Sequence, residues 1–277
     1  MRILIADSGA TKTDWAFIQE GKPFYMKSSG LHPAYFDREA VLKELKKIFK
    51  QTHPVTILFY GAGCYSEESC RPVRNLLHEL FKDIPVEIQD DLTAVAHAFL
   101  GLEPGVAGIL GTGSASGYFS GGKKKQQVAS LGYVLGDEGS GADIGKRILK
   151  AALRKEFDQP VLDFLEARLE TLRYSEVIEK LYRAKRPSYY LAKVSEKVLT
   201  GNFPDAIRQV VEESFQSYID NHLKKYDGFP DIRIVLSGGV ASHQRDLAEK
   251  ILEKNGITDY QISGSVITAL AERQMNR

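Results

Sequence analysis

Three glycine-bearing turns, each closing an apolar run, constrain this 277-residue chain more than any other feature. They are Asp7-Ser8-Gly9-Ala10-Thr11-Lys12-Thr13-Asp14, Gly111-Thr112-Gly113-Ser114 and Ser237-Gly238-Gly239-Val240. Glycine lets the backbone turn tightly and approach a ligand with no Cβ in the way. Successive backbone N–H groups in such a turn form a concavity that holds anions, and neighbouring hydroxyls add donors. A single turn of this kind is commonplace, but three at strand ends, in this order and separation, point to phosphate. Two better-known phosphate signatures are excluded. No Gly-x-x-x-x-Gly-Lys-Ser/Thr occurs, so the chain is not a P-loop protein. Gly111-Thr112-Gly113-Ser114-Ala115-Ser116 fails the dinucleotide fingerprint at its sixth position and leads into a strand where that fingerprint needs a helix.

The pattern around the turns predicts a mixed sheet covered by helices. Ile3–Ala6, Trp15–Gln19 and Phe24–Lys27 read as strands, with Gly21-Lys22 as a turn between the last two. Val41, Leu42, Leu45, Ile48 and Phe49 recur at helical spacing, as do Leu76, Leu77, Leu80 and Phe81. Val55–Tyr60 and Val86–Ile88 are further strands, the second running into Asp90-Asp91. Trp15 is expected in the core of the second strand. The pattern restarts at Val106–Leu110, with a second hairpin over Gly121-Gly122. Residues from about 143 to 226 read mostly as helix, with Pro160, Pro187 and Pro204 as breaks. Ile232–Leu236 is one more buried strand, followed by a helix through Leu247 and Ile251. The expectation is two lobes, 1–91 completed by the C-terminal helix 264–277, and 92–263 with a helical insertion.

Composition excludes several classes. With 43% hydrophobic and 26% charged residues the chain reads as an ordinary globular protein. A formal net charge of +1 gives no sign of a polyanion-binding surface, so no nucleic-acid partner is expected. The one dense basic run, Lys123-Lys124-Lys125, follows Gly121-Gly122 and reads as solvated lysines on a hairpin tip. Cys64 and Cys70 lack the paired short spacings of a zinc site and are read as reduced, structural thiols. His53, His78, His97, His222 and His243 show no metal-binding spacing. The apolar run before Asp7 is too short for a signal peptide, and no stretch approaches the ~20 apolar residues that span a bilayer. A cytoplasmic protein without a membrane partner is expected.

The glycine motifs carry a family resemblance. Asp7-Ser8-Gly9-Ala10-Thr11-Lys12-Thr13-Asp14-Trp15 resembles the first phosphate loop of the actin, hexokinase and Hsp70 superfamily. Gly111–Ser114 is similar to its second phosphate loop, and Ser237–Ala241 to its adenosine motif. Leu110-Gly111-Thr112-Gly113-Ser114, followed by Leu135-Gly136-Asp137-Glu138-Gly139-Ser140-Gly141, resembles the N-acetylglucosamine kinase group, also known as BadF/BadG-type ATPases. The likeness runs from Ile3 to the C-terminal helix. It implies two actin-like (ribonuclease H-like) lobes, each a mixed five-stranded sheet flanked by helices, closing on substrate around a nucleotide cleft.

The same resemblance implies ATP and Mg²⁺ as cofactors, an amino sugar as acceptor and a homodimer as assembly. Asp7 would hold Mg²⁺ through water, as suits a cation that dehydrates reluctantly; read alone, it is a turn-forming acid. Gly9, Thr11 and Lys12 would cradle the β/γ-phosphates, with Gly111, Thr112, Gly113 and Ser114 on the facing side. Gly238 and Gly239 would let the adenosine lie close to the backbone. In Gln89-Asp90-Asp91-Leu92-Thr93-Ala94, aligning the small residues selects Asp91 as the base that accepts the sugar hydroxyl proton. A one-residue slip selects Asp90 instead, and both acids also suit a helix cap. Asp137 would accept from sugar hydroxyls, with capping of the helix near Gly141 as its plain alternative. Gly132 in Ser130-Leu131-Gly132-Tyr133 would line the sugar pocket.

Two departures from the family pattern bear on the acceptor. Leu131 stands where animal N-acetylglucosamine kinases carry an aromatic residue, and His32 where relatives place a sugar-contacting asparagine. Two other functions use related scaffolds. ATP-driven activators of iron–sulfur dehydratases hold a cluster through cysteines beyond the second loop, and here both cysteines precede Gly111. Sugar-sensing regulators usually add a DNA-binding domain, for which no room is expected before Ile3.

Overall fold

The computed structural model describes residues 2–82 and 84–276. They form two compact units: Met1–Glu103 with Ser120–Lys124 and Ser265–Arg277, and Pro104–Phe119 with Lys125–Gly264.

The first unit contains β1 (Arg2–Ser8), β2 (Lys12–Gln19), β3 (Lys22–Ser29), α1 (Arg38–Ile48), β4 (Thr56–Gly61), α2 (Glu67–Leu80), β5 (Val86–Asp90) and α3 (Asp91–Phe99). Ile3–Ala6 is buried at every residue, as a strand covered on both faces must be. β1 pairs antiparallel with β2 and parallel with β4, and β4 parallel with β5, giving the order β3-β2-β1-β4-β5. Glu20 and Gly21, with φ of 53° and 74°, make the tight β2–β3 turn, whose left-handed pair matches the twist of a two-residue hairpin. One face of the sheet packs on α1 and α2 through Leu4, Trp15, Phe17, Leu45, Phe59 and Leu76. Trp15 is fully buried, meets Phe49 edge-on at 4.9 Å and donates its indole N–H to Ser28 Oγ at 2.9 Å.

The second unit repeats the plan. It contains β6 (Gly105–Leu110), β7 (Ser114–Ser120), β8 (Lys123–Val128), α4 (Gly132–Leu135), α5 (Gly141–Leu153), α6 (Gln159–Arg168), α7 (Tyr174–Arg183), α8 (Pro187–Val198), α9 (Asp205–Asn221), β9 (Ile234–Ser237), α10 (Gly239–His243), α11 (Arg245–Lys254) and β10 (Tyr260–Ser263). Its sheet order is β10-β9-β6-β7-β8, with β6 antiparallel to β7 and parallel to β9, and β9 parallel to β10. Each strand thus stands where its counterpart stands in the first sheet. A final helix, α12 (Val266–Met275), returns to the first unit and packs on α3, β1 and β2.

Three local differences from the sequence reading have physical causes. Pro160, Pro187 and Pro204 stand at the second residue of α6, the first of α8 and the N-cap of α9, so each proline starts a helix, where its missing N–H costs nothing. β10 carries no apolar-run signature, since only Ile262 of its four residues is buried. The first unit extends through α3 to Glu103 rather than closing at Asp91, because α3 packs on β1, β4 and β5. Among the described residues no helix is long and apolar enough to cross a membrane.

Trp15→Ala should cost about 3–5 kcal/mol, and Ser28→Ala, which strips the indole of its acceptor and the Ser29 carbonyl of a donor, about 1–3 kcal/mol. Thermal unfolding followed by circular dichroism should therefore show both midpoints lowered, that of Trp15→Ala more.

Candidate active site

The parallel register places Ser8, Gly61 and Asp90 in one row across β1, β4 and β5. The carboxyl ends of parallel strands are where ligands bind in sheets of this kind, and the singled-out residues of the first unit cluster there. The turn after β1 is held from behind. Gly9 N donates to Lys12 O at 2.9 Å, and Gly30 N to Thr11 O at 3.1 Å. Ser8 Oγ, buried, lies 2.8 Å from Thr13 Oγ1 and accepts from Leu31 N at 3.0 Å. Gly30 must be glycine, since a Cβ would sit 2.6 Å from Gly9 O. On its open side the turn has room: a Cβ at Gly9 would meet only Lys12 O, at 3.6 Å. Thr11 and Lys12 are exposed, with Lys12 Nζ 2.9 Å from Asp14 Oδ2.

Asp7 and Asp91 are partly buried carboxylates, both raised, and the charge of Asp91 adds to the rise of Asp7. Burial first, then the charges of Asp91 and Asp14, push Asp7 up to about 7, against a smaller downward pull from Lys12. Burial and then the adjacent Asp90 push Asp91 up to about 6, opposed by its own and the Leu92 backbone amides and by Lys124. The two neighbouring acids divide the work of the α3 N-terminus. Asp90 is the cap, with Oδ1 accepting from Thr93 N and Thr93 Oγ1, both at 2.7 Å. Asp91 is the first helical residue, and its Oδ1 accepts from Leu92 N at 3.0 Å. His32 stacks on Tyr35 at 4.6 Å, accepts from Ala34 N through Nδ1 and lies against Gly63, where a Cβ would come within 2.8 Å of Nε2.

In the second unit the Gly111–Ser114 turn rests on the start of α5. Gly141 N donates to Gly111 O at 2.8 Å and Ala142 N to Thr112 O at 3.1 Å. Asp137 closes on the turn: Oδ1 accepts from Ser114 N at 3.3 Å, and a Cβ at Gly113 would lie 3.0 Å from Oδ2. Asp137 does not cap α5; Ser140 does, accepting from Asp143 N at 3.1 Å. Asp137 is buried and left-handed at φ 58°. Its carboxyl is raised by burial, against the Ser114 amide and Lys146. Leu131 is also left-handed, at φ 61°, and is followed by left-handed Gly132, where a Cβ would meet nothing within 4 Å. A bulky residue in this conformation is strained, as segments around binding sites often are.

The third glycine turn also has a packing requirement of its own. Gly238 has φ 109°, and a Cβ there would overlap the Leu110 carbonyl oxygen. Its missing Cβ serves the packing of β9 on β6. Gly239 is open, with His243 Nδ1 the nearest atom to a Cβ at 3.8 Å.

These surroundings fit Mg²⁺ and a polyphosphate. Two partly buried carboxylates that repel one another are relieved by a cation between or beside them, and one or two carboxylates with several waters is what Mg²⁺ accepts. Among the described residues no group of three or more His, Cys, Asp or Glu side chains could hold a metal ion, so water would complete such a shell. Ser114 Oγ is buried without a hydrogen-bond partner among the described residues, which leaves one hydroxyl of the second turn unsatisfied.

No protein-family model and no curated protein matches the chain. Among solved structures, a proposed N-acetylglucosamine kinase from Porphyromonas gingivalis is 31% identical, with a TM-score of 0.89 over 99% of each chain. The chain belongs to the N-acetylglucosamine kinase-like family. Its fold is accordingly the actin-like pair of mixed five-stranded sheets. That fold extends to a second proposed N-acetylglucosamine kinase, from Chromobacterium violaceum, at 18% identity and TM-score 0.69 over 98% of each chain. It also extends to component A of (R)-2-hydroxyglutaryl-CoA dehydratase from Acidaminococcus fermentans, at 13% identity and TM-score 0.54 over the full length of both.

Within this N-acetylglucosamine kinase-like chain, both cysteines are free and buried in the first-unit core. Burial and then the neighbouring Cys70 push the Cys64 thiol up, which makes a poor metal ligand or nucleophile. One residue at the site escaped the sequence reading. Lys124, in a run whose sequence predicts solvated lysines, is only 28% exposed and its Nζ lies 2.6 Å from Asp90 Oδ2. The available signal was strand alternation: Lys123 and Lys125 are exposed and Lys124 is not.

Asp7 yields a signed prediction. A carboxyl at about 7 in the fold and 3.8 outside it keeps its proton in the native state while the unfolded chain loses it. Stability from this group therefore falls as pH rises from about 4 to about 7, by on the order of 2–4 kcal/mol. Asp7→Asn should raise the melting temperature of the metal-free protein at pH 7.5 and leave it nearly unchanged at pH 4. Mg²⁺ should stabilise the wild type more than the variant. Calorimetry at the two pH values, with and without Mg²⁺, reads both effects.

Proposed function

We propose that this protein is an ATP-dependent sugar kinase that transfers the γ-phosphoryl group to a hydroxyl of an amino sugar, N-acetylglucosamine or a close relative. The observation that carries the reading is the pair of raised, partly buried carboxylates, Asp7 near the end of β1 and Asp91 just after β5, with the charge of Asp91 acting on Asp7 and the open Gly9 turn directly after β1. The family supports it, through the likeness to the Porphyromonas gingivalis protein.

Phosphoryl transfer asks for in-line positioning and charge neutralisation more than for covalent chemistry. In the proposed reaction the sugar hydroxyl oxygen forms a bond to the γ-phosphorus, and the bond from that phosphorus to the β–γ bridging oxygen breaks. ADP leaves, and the hydroxyl proton passes to the Asp91 carboxylate. With its carboxyl at about 6, Asp91 is mostly ionised at pH 7 yet basic enough to accept a proton as the new bond acidifies the hydroxyl. When bound, Mg²⁺ neutralises the phosphate oxygens. Asp7 would hold it through water, while the backbone of Gly9, with Thr11 and Lys12, meets the β- and γ-phosphates. Gly111, Thr112, Gly113 and Ser114 would contribute amides and a hydroxyl to phosphate, and Gly238 and Gly239 a close backbone approach for the adenosine. Asp137, Gly132 and His32 would contact the sugar. Asp137 is suited to accept from hydroxyls because its position is already fixed by the Ser114 amide.

ADP release measured over N-acetylglucosamine, N-acetylmuramic acid, glucosamine and plain hexoses should show weak turnover without sugar and a sharp rise with one amino sugar. Equal rates with and without every sugar would sink the kinase reading. Asp91→Asn should lower kcat by about 10²–10⁴-fold while calorimetric affinities for Mg–ATP and sugar persist; a non-catalytic sensor would be indifferent to this change. In the wild type, kcat should decline as pH falls through about 6, where the base becomes protonated.

A further inference from the structure

We propose that Lys124 is a positioning residue for Asp91, acting through Asp90 and the helix α3. This rests on Asp91 being the base of the transfer proposed above.

Lys124 is bonded to the cap of α3. Its ammonium is 2.6 Å from Asp90 Oδ2, and it is half-buried while its neighbours Lys123 and Lys125 are exposed. The other oxygen of Asp90 is already occupied by the amide and hydroxyl of Thr93. Three donors thus fix the Asp90 carboxylate, and Asp90 is covalently the residue before Asp91. Charge-assisted bonds of this length are the strong ones. The cap they fix decides where the first turn of α3 begins, and so where the Asp91 side chain leaves the backbone.

The same hairpin tip holds the far end of the helix. His97, in the last turn of α3, has Nε2 3.0 Å from the Gly122 carbonyl oxygen. A carbonyl only accepts, so Nε2 carries the proton, and in the neutral ring Nδ1 accepts from Tyr60 OH, 3.0 Å away on β4. Past the helix, Gly121 N donates to Leu102 O at 3.0 Å. Residues 121–124 therefore grip α3 at its cap, in its last turn and beyond its end. Of these contacts, Lys124–Asp90 alone carries a full charge and alone touches the residue next to the base.

A displaced base costs turnover rather than affinity, since substrate is still held by the phosphate turns and the sugar contacts. The test measures kcat and KM for ATP and for the best amino sugar in Lys124→Met, Lys124→Arg and, as control, Lys125→Met. Lys124→Met should lose about tenfold or more in kcat with both KM values within about twofold of wild type. Lys124→Arg should recover most of that loss, and Lys125→Met should match wild type. Lys124→Gln, which keeps a donor without the charge, takes the place of the methionine variant should the latter fail to fold. Amide hydrogen exchange at Leu92 and Thr93 should quicken in the methionine or glutamine variant and return toward wild type in the arginine variant. An active wild type whose neutral variants keep kcat, or lose only KM, overturns this inference alone. A wild type that releases no ADP with any sugar overturns the kinase reading and this inference together.

Discussion

The parallel ladder β1–β4–β5 is the constraint on which the first unit's chemistry depends. Its register is fixed because Ile3–Ala6 must be buried on both faces and because a one-residue slip would turn every side chain of a strand to the opposite face. Once the ladder is set, Ser8, Gly61 and Asp90 fall in one row. Two carboxylates remote in sequence then face the same space without any loop having to bring them there. The second sheet repeats the device, with Ile109 and Ser263 flanking Ser237 in its own parallel row. Backbone hydrogen bonding thus places the reactive groups, and the turns that follow the strands add the amides.

Placement of this kind has a thermodynamic cost that the structure leaves visible. Asp7 and Asp91 are each raised by burial before any neighbouring charge is considered, so the metal-free protein holds two acids in positions a fold selected only for stability would fill differently. Asp137 and Leu131 add backbone strain in the second unit. All four stand at positions the family resemblance associates with nucleotide or sugar, whereas the aromatic core around Trp15 shows neither strain nor unpaired groups: its indole nitrogen has its acceptor and its rings their edge contacts. Of the left-handed non-glycine residues, Leu131 and Asp137 stand where function is expected, while Glu20 sits in the β2–β3 hairpin and Lys155 just past the end of α5.

Features legible in the sequence were those written in local backbone chemistry. Both hairpins were marked by glycine at positions needing positive φ, Gly21 in one and Gly121-Gly122 in the other. The buried strands were marked by continuous apolar runs, and Trp15 by its place within one. What stayed hidden needed a partner from elsewhere in the chain. Gly238 reads as a place for a ligand to approach, but a missing Cβ reads the same whether a ligand or a neighbouring strand requires the space, and the Leu110 carbonyl oxygen is one such neighbour. Three consecutive lysines look alike until the alternation of a strand turns the middle one toward Asp90. Prolines 160, 187 and 204 were visible as punctuation, but whether a proline ends one helix or begins the next depends on which side finds its packing.

Asp90 and Asp91 show how one helix terminus can separate two chemically identical side chains. A helix N-terminus favours negative charge on both, yet their partners differ. Asp90 is saturated by Thr93 and by an ammonium, which commits it to structure. Asp91 receives amide donors only, in surroundings that raise it, and a carboxylate so placed can still take up a proton near neutral pH. Different hydrogen-bond partners thus separate the roles of two adjacent residues. The aspartate that secures the helix is the one bonded to the ammonium, while at its neighbour burial and the Asp90 charge outweigh the downward pull of Lys124 and leave a carboxylate basic enough to act.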